Sequence, residues 1–165
     1  MRLIILFFVV DEPIGWAFSA TSQVESQYFL GSGIPLELSS QQIASCVTND
    51  DECCDGCGGG DTVAAYSYLL DSKTLGLAPS AYWPYEQSLV PSGECGDMSC
   101  TKNCNTHDLN ELTEDSFYIG PYAKITGYEY ATKPCFGSCQ DQDLATLAKN
   151  LQDAPVSICL NAANW

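Results

Sequence analysis

Ten cysteines, most of them crowded into short stretches, constrain this chain more than any other feature. Cys53 and Cys54 are adjacent and Cys57 follows closely. Cys95, Cys100 and Cys104 share one stretch, Cys135 and Cys139 another, while Cys46 and Cys159 stand apart. An even number at this density reads as several disulfides formed in an oxidising compartment. Connectivity does not follow from spacing. Cys54-Asp55-Gly56-Cys57 has the C-x-x-C form, but neither a βαβ context nor a helix opening at the first cysteine accompanies it. Structural bridging is therefore read ahead of zinc binding or redox chemistry, and neither a metal nor a cofactor is expected.

A length of 165 residues gives room for one ordinary domain. Asp and Glu number 21 against 6 Lys and Arg, a formal charge of −15. Phosphate binding needs a basic footprint that so few cations cannot supply, which excludes a nucleic-acid partner. With 45% hydrophobic residues and only 16% charged, the chain is too apolar to be disordered. The one continuous apolar run, Leu3 to Val10, is too short for a membrane span. It follows Arg2 like a signal-peptide core, but Gly15 and Ala17, the small residues suited to cleavage, lie in a helix start. A buried strand or a truncated or misjoined N-terminus is read ahead of a signal.

Ala17, Ala20, Val24 and Tyr28 recur at spacings of three and four, which predicts a helix over 15–30 ended by Gly31 and Gly33. Leu38-Ser39-Ser40-Gln41-Gln42-Ile43 predicts a second helix toward Cys46. Ser39 and Gln42 form a reciprocal capping box there, and Leu38 and Ile43 a hydrophobic staple. Asp61 is placed to cap a third helix with Val63, Tyr66 and Leu70 on one face, broken by Gly76. Residues 79–121 read as a long bridged loop region. Strands are expected near 122–130 and 155–160, with an amphipathic helix after Asp141 through Leu144, Leu147, Ala148 and Leu151. Helices first and strands later is an α+β order.

Gly15-Trp16-Ala17-Phe18-Ser19-Ala20 resembles the start of the central helix of papain-like cysteine peptidases, the cathepsin group. Later matches follow in family order. Leu38 to Cys46 is similar to its Leu-Ser-Glu-Gln helix, Gly56-Cys57-Gly58-Gly59-Gly60 to its Gly-Cys-x-Gly-Gly turn, and Trp83-Pro84-Tyr85 to its Tyr-Pro-Tyr. Lys124 to Tyr128 and Leu144 to Asn161 resemble the strand and the helix–strand unit that follow, while 86–121 matches poorly. The resemblance implies a papain-like helical half over 15–85 and a Cys-rich loop insertion over 86–121. An incomplete antiparallel β-barrel half would occupy 122–165, with 1–14 as an unmatched apolar segment.

The family's nucleophile is a cysteine at that helix N-terminus, acidified by the local positive potential and paired with a histidine. Gly15 stands at the matching position and has no side chain. Val9 stands where the family places its oxyanion glutamine. The family's His and Asn lie roughly 130–150 residues beyond the nucleophile, and 150 residues follow Gly15, so that segment is expected to be absent. His107, the sole histidine, reads as a surface-loop residue rather than a catalytic one. No catalytic residue is therefore assigned, and proteolysis belongs to the chain by descent only.

The resemblance carries substrate-side positions over to Gly59, Gly60 and Cys159, with an extended peptide or protein as the partner. A tight turn needing positive φ explains Gly58 to Gly60 equally well. Cys46 matches a bridge cysteine whose partner is one of Cys95, Cys100 or Cys104. Cys57 matches one whose partner position holds Glu12, and Cys53 or Cys54 is the candidate replacement. Resemblance and cysteine content together imply a secreted or lysosomal/vacuolar protein. A non-catalytic peptide-binding homologue and an unrelated disulfide-rich secreted or metal-binding protein stand as alternatives, with the oligomeric state open.

Overall fold

In the computed structural model the described residues are 14–47, 59–71, 74, 76–85, 123–134 and 143–158. They form four helices: α1 (Gly15–Ser32), α2 (Ser40–Cys46), α3 (Thr62–Leu70) and α4 (Leu144–Asn150). α1 packs against both α2 and α3. Its apolar stripe lands as the periodicity predicts, with Ala17, Ala20 and Val24 buried in one core with Ile43, Ala65, Leu69 and Leu77. Gly33 ends the helix at φ +74, a left-handed conformation that suits glycine, and its N–H donates to the Phe29 carbonyl at 2.8 Å. Gly31 lies inside the helix rather than stopping it.

α2 has seven residues, all buried. The Ser39 hydroxyl caps it, accepting from the Gln42 N–H at 3.0 Å, and donates to the Trp83 carbonyl at 2.7 Å. Only half of the expected capping box forms. The Ser39 N–H donates instead to the Ala78 carbonyl, and the Gln42 amide turns away from it. That amide donates to the Tyr68 hydroxyl and the Gly76 carbonyl and accepts from the Ala78 N–H at 2.8 Å. A long-range clamp on 76–78 therefore replaces the local box, because a buried amide needs its donors and its acceptor all satisfied.

Asp61 caps α3 as expected, accepting from the Val63 N–H at 2.9 Å. The helix ends at Leu70, six residues before Gly76, which instead lies in the buried 76–78 segment at φ +119. α4 is capped by Asp143, whose carboxylate accepts from the Thr146 N–H at 2.9 Å, and none of its residues is buried. Leu144 is 69% exposed, so α4 rests on the molecule without entering the core.

The β half differs most from expectation. Among the described residues there is no strand ladder, only two isolated antiparallel bridges, Leu38 with Pro79 and Leu77 with Ala123. Residues 124–130 and 155–158 form no strand and no backbone hydrogen bond with each other, although both reach one concavity described below. Residues 1–13 and 86–122 and the end of the 155–160 stretch lie outside the described residues.

Candidate functional site

The site begins with the α1 N-terminus, because that is where the sequence pattern puts a functional side chain and supplies none. Ile14, fully buried, occupies the cap position with no side-chain hydrogen bond, and Gly15 is the first helical residue. Trp16, Ala17 and Ala20 are buried immediately after it, which fixes the rotation of the helix about its axis. Gly15 itself is only partly buried, and a Cβ built on it would meet nothing within 4 Å. A side chain there would stand in open space beside the first unpaired N–H groups of the helix, where the local potential favours an anion.

Two neighbouring features come from the same sequence pattern. Tyr85, which closes Trp83-Pro84-Tyr85, meets Phe18 of α1 edge-on with ring centroids 5.0 Å apart. Trp83 is buried and anchored through the Ser39 hydroxyl. Gly59 has φ +104, as the turn explanation requires, and a Cβ there would be strained by the backbone alone although nothing crowds it. Gly60 is exposed, one residue before the α3 cap. Val9, His107, Cys159 and the cysteines at 53, 54, 57, 95, 100, 104, 135 and 139 lie outside the described residues. Cys46, at the end of α2, is disulfide-bonded.

A second concavity, not marked by any motif, lies further along α1. It encloses about 530 Å³ and is lined by Gln23, Val24, Gln27 and Tyr28 of α1, by Tyr66 of α3, and by the stretches 123–131 and 153–156, with Asn150. Ser157 ties it together. Its hydroxyl donates toward the Ser19 carbonyl and the Gln23 amide oxygen, each 3.3 Å away, which leaves the Tyr66 phenol to donate across 2.8 Å. The Gln23 amide nitrogen donates to the Pro155 carbonyl at 2.7 Å. Burial, chiefly, pushes the Tyr66 phenol above its usual range, so it stays a neutral donor at physiological pH. Tyr128 packs on Tyr66 at 5.6 Å. Gln23 and Gln27, one helical turn apart on α1, belong to none of the motifs read from the sequence.

Among the described residues no group of three His, Cys, Asp or Glu side chains is placed to hold a metal ion. No described helix is long and apolar enough to cross a membrane.

Comparison with known proteins gives a consistent likeness. The family model described as papain family cysteine protease matches residues 14–165. Digestive cysteine proteinase 3 of Homarus americanus is 37% identical over 91 residues, covering 55% of this chain and 25% of that protein. Cysteine proteinase 2 of Leishmania pifanoi is 29% identical over 150 residues, covering 91% of this chain and 27% of that protein. A solved Carica candamarcensis cysteine protease is 28% identical over 51% of this chain and 36% of its own, with a TM-score of 0.40. The chain thus spans about a quarter of the length of the curated relatives it matches.

Proposed function

The chain belongs to the papain family of cysteine proteases, and on that premise we propose that it keeps a peptide-facing scaffold while lacking cysteine-nucleophile catalysis. The observation that carries this is Gly15: it opens α1 in the register fixed by Trp16, Ala17 and Ala20, and it presents no atom to attack a carbonyl. Val9, at the position matching the oxyanion glutamine, has no side-chain donor, and His107 stands in the stretch that least resembles the family. The role that remains is non-catalytic binding of an extended polypeptide along the turn of Gly59 and Gly60. A secreted or lysosomal/vacuolar setting agrees with the disulfide at Cys46.

The test compares the chain with its Gly15→Cys variant, using a fluorogenic dipeptide substrate and a thiol-directed epoxide. The space at Gly15 accepts the new side chain, so the variant is expected to fold and to be alkylated at residue 15. Turnover is expected to stay at background in both proteins. Without the oxyanion donor the loss is about 100- to 1000-fold, and an unpaired thiol lacks the proton acceptor that would make it largely thiolate. Epoxide-sensitive turnover by the unmodified chain would overturn the reading and direct attention to His107 and whichever cysteine approaches it.

A further inference from the structure

Residues 14–47, which carry α1, α2 and the link between them, contain two charged side chains, Glu25 and Glu37, and the fold brings the two together. Glu25 accepts the Leu38 N–H at 2.7 Å, and that nitrogen is the one bonded to Glu37. Neither 14–47 nor 76–85, which pairs with the link, contains a Lys, Arg, His or Asp. The other titratable side chains there are the phenols of Tyr28, Tyr82 and Tyr85 and the bridged Cys46. α3, also packed on α1, brings Tyr66 and Tyr68 and carries its carboxylates, Asp61 and Asp71, at its two caps. The link is part of a strap along α1. The Ser39 N–H donates to the Ala78 carbonyl at 2.8 Å and the Ser80 N–H to the Glu37 carbonyl at 2.9 Å. The chain then turns, with the Trp83 N–H donating to the Pro79 carbonyl at 3.1 Å, and Tyr85 meets Phe18. Phe18 and Glu25 are seven residues apart on one face of α1. The strap is thus fastened at two points about 10 Å apart along the helix, one an aromatic contact and the other a carboxylate that can take up a proton.

We infer that Glu25 is a proton-operated clasp: taking up a proton in acidic surroundings tightens the hold of 37–39 and 78–83 on α1, and ionisation in neutral surroundings loosens it. A neutral carboxyl keeps a carbonyl oxygen for the Leu38 N–H and ends the repulsion from Glu37. Ionised, the half-buried group sets two like charges against one short link, opposed only by its stronger bond to Leu38. Burial raises the Glu25 pKa most, the Leu38 bond lowers it and Glu37 raises it again, for a net rise. A folded pKa above the unfolded one places the extra hold below about pH 4.5 and removes it as pH climbs through the folded value. The clasp stands apart from the binding function proposed at Gly59 and Gly60. Its effect reaches that neighbourhood through Tyr85, which rests on Phe18 one turn from Gly15.

The experiment measures amide hydrogen exchange in the full chain at about pH 4 and about pH 7.5, as protection relative to the intrinsic rate at each pH. The reporters are the Leu38, Ser39, Ser80 and Trp83 amides, with the 66–70 amides of α3 as reference. Protection of the four reporters is expected to be about threefold or more higher at the acidic pH, beyond any change in the reference. Glu25→Gln should hold them at the acidic level at both pH values, and Glu37→Gln should narrow the difference while leaving the Leu38 bond in place. Equal protection at the two pH values, or higher protection at the neutral one, overturns the clasp. A difference that survives in Glu25→Gln assigns the proton to another group and overturns it. So does an undiminished difference in Glu37→Gln, or an equal rise in 66–70, which would be a response of the whole acidic chain.

Discussion

Glu25 shows how one residue couples α1 to the segment that leads into α2. Its carboxylate accepts the Leu38 N–H at 2.7 Å, fastening 34–38 to the middle of the first helix. The position is half-buried, and burial is the largest influence on it, raising its pKa above the ordinary glutamate value of 4.5; the Leu38 bond lowers it and Glu37 raises it further. A folded pKa above the unfolded one means the group's contribution to stability is fully present below about pH 4.5 and is lost as pH rises through the folded value. Glu25→Gln keeps an amide oxygen to accept the Leu38 N–H and removes the charge. The variant is expected to melt higher than the parent at pH 7, by about 0.5 kcal/mol because partial exposure screens the charge. The gap should close as pH falls below 4.5. Thermal melts across pH 3.5–8 check this; a variant that is less stable at pH 7 would show that the carboxylate holds Leu38 better than its burial harms it.

At the scale of elements, α2 depends on Ser39 more than on helix propensity, since seven residues are too few to hold a helix unaided. Ser39→Ala removes the cap on Gln42 and the donor to the buried Trp83 segment together. It should cost about 2–3 kcal/mol, more than Asp61→Ala at the exposed α3 cap, for which about 1 kcal/mol is expected. Urea titrations of the two variants provide the comparison, and equal losses would contradict the double role of Ser39. These caps also mark what sequence reading reaches. As caps, Ser39, Asp61 and Gly33 act within three or four residues of themselves, so a pattern of neighbours reveals that role, although not the bond from Ser39 to Trp83. Gln42 was misassigned because its partners at Tyr68, Gly76 and Ala78 are close only after folding. The runs at 124–130 and 155–158 read as strands from their β-formers, yet neither forms a ladder among the described residues, since a run of β-formers does not say what it pairs with. At the site, the order Gly15-Trp16-Ala17-Phe18 located the helix start, while the open space over Gly15 and the cleft of Gln23 and Tyr66 needed three dimensions to appear.

Across the molecule, the core cluster of the described residues is drawn almost entirely from 14–78, with Ala123 its one later member and Ile125 packed against it. Cys46 is buried at the end of α2 and is disulfide-bonded, so the bridge ties the helical assembly to another part of the chain. With Cys95, Cys100 or Cys104 as partner, the closed loop runs to about 50–60 residues, for which loop-closure entropy gives about 4 kcal/mol when the native geometry is relaxed. Set against the 5–15 kcal/mol typical of a whole domain, that is enough to decide whether a core of this size persists. Cys46→Ala is therefore expected to lower the urea midpoint substantially under non-reducing conditions. It should also diminish the midpoint shift that a reductant produces in the parent, because one of the cross-links the reductant breaks is already lost. Non-reducing peptide mapping identifies the partner directly. A free thiol at Cys46, a partner other than those three, or a variant that unfolds at the parent's midpoint would each remove the bridge from the account of how this helical core is held.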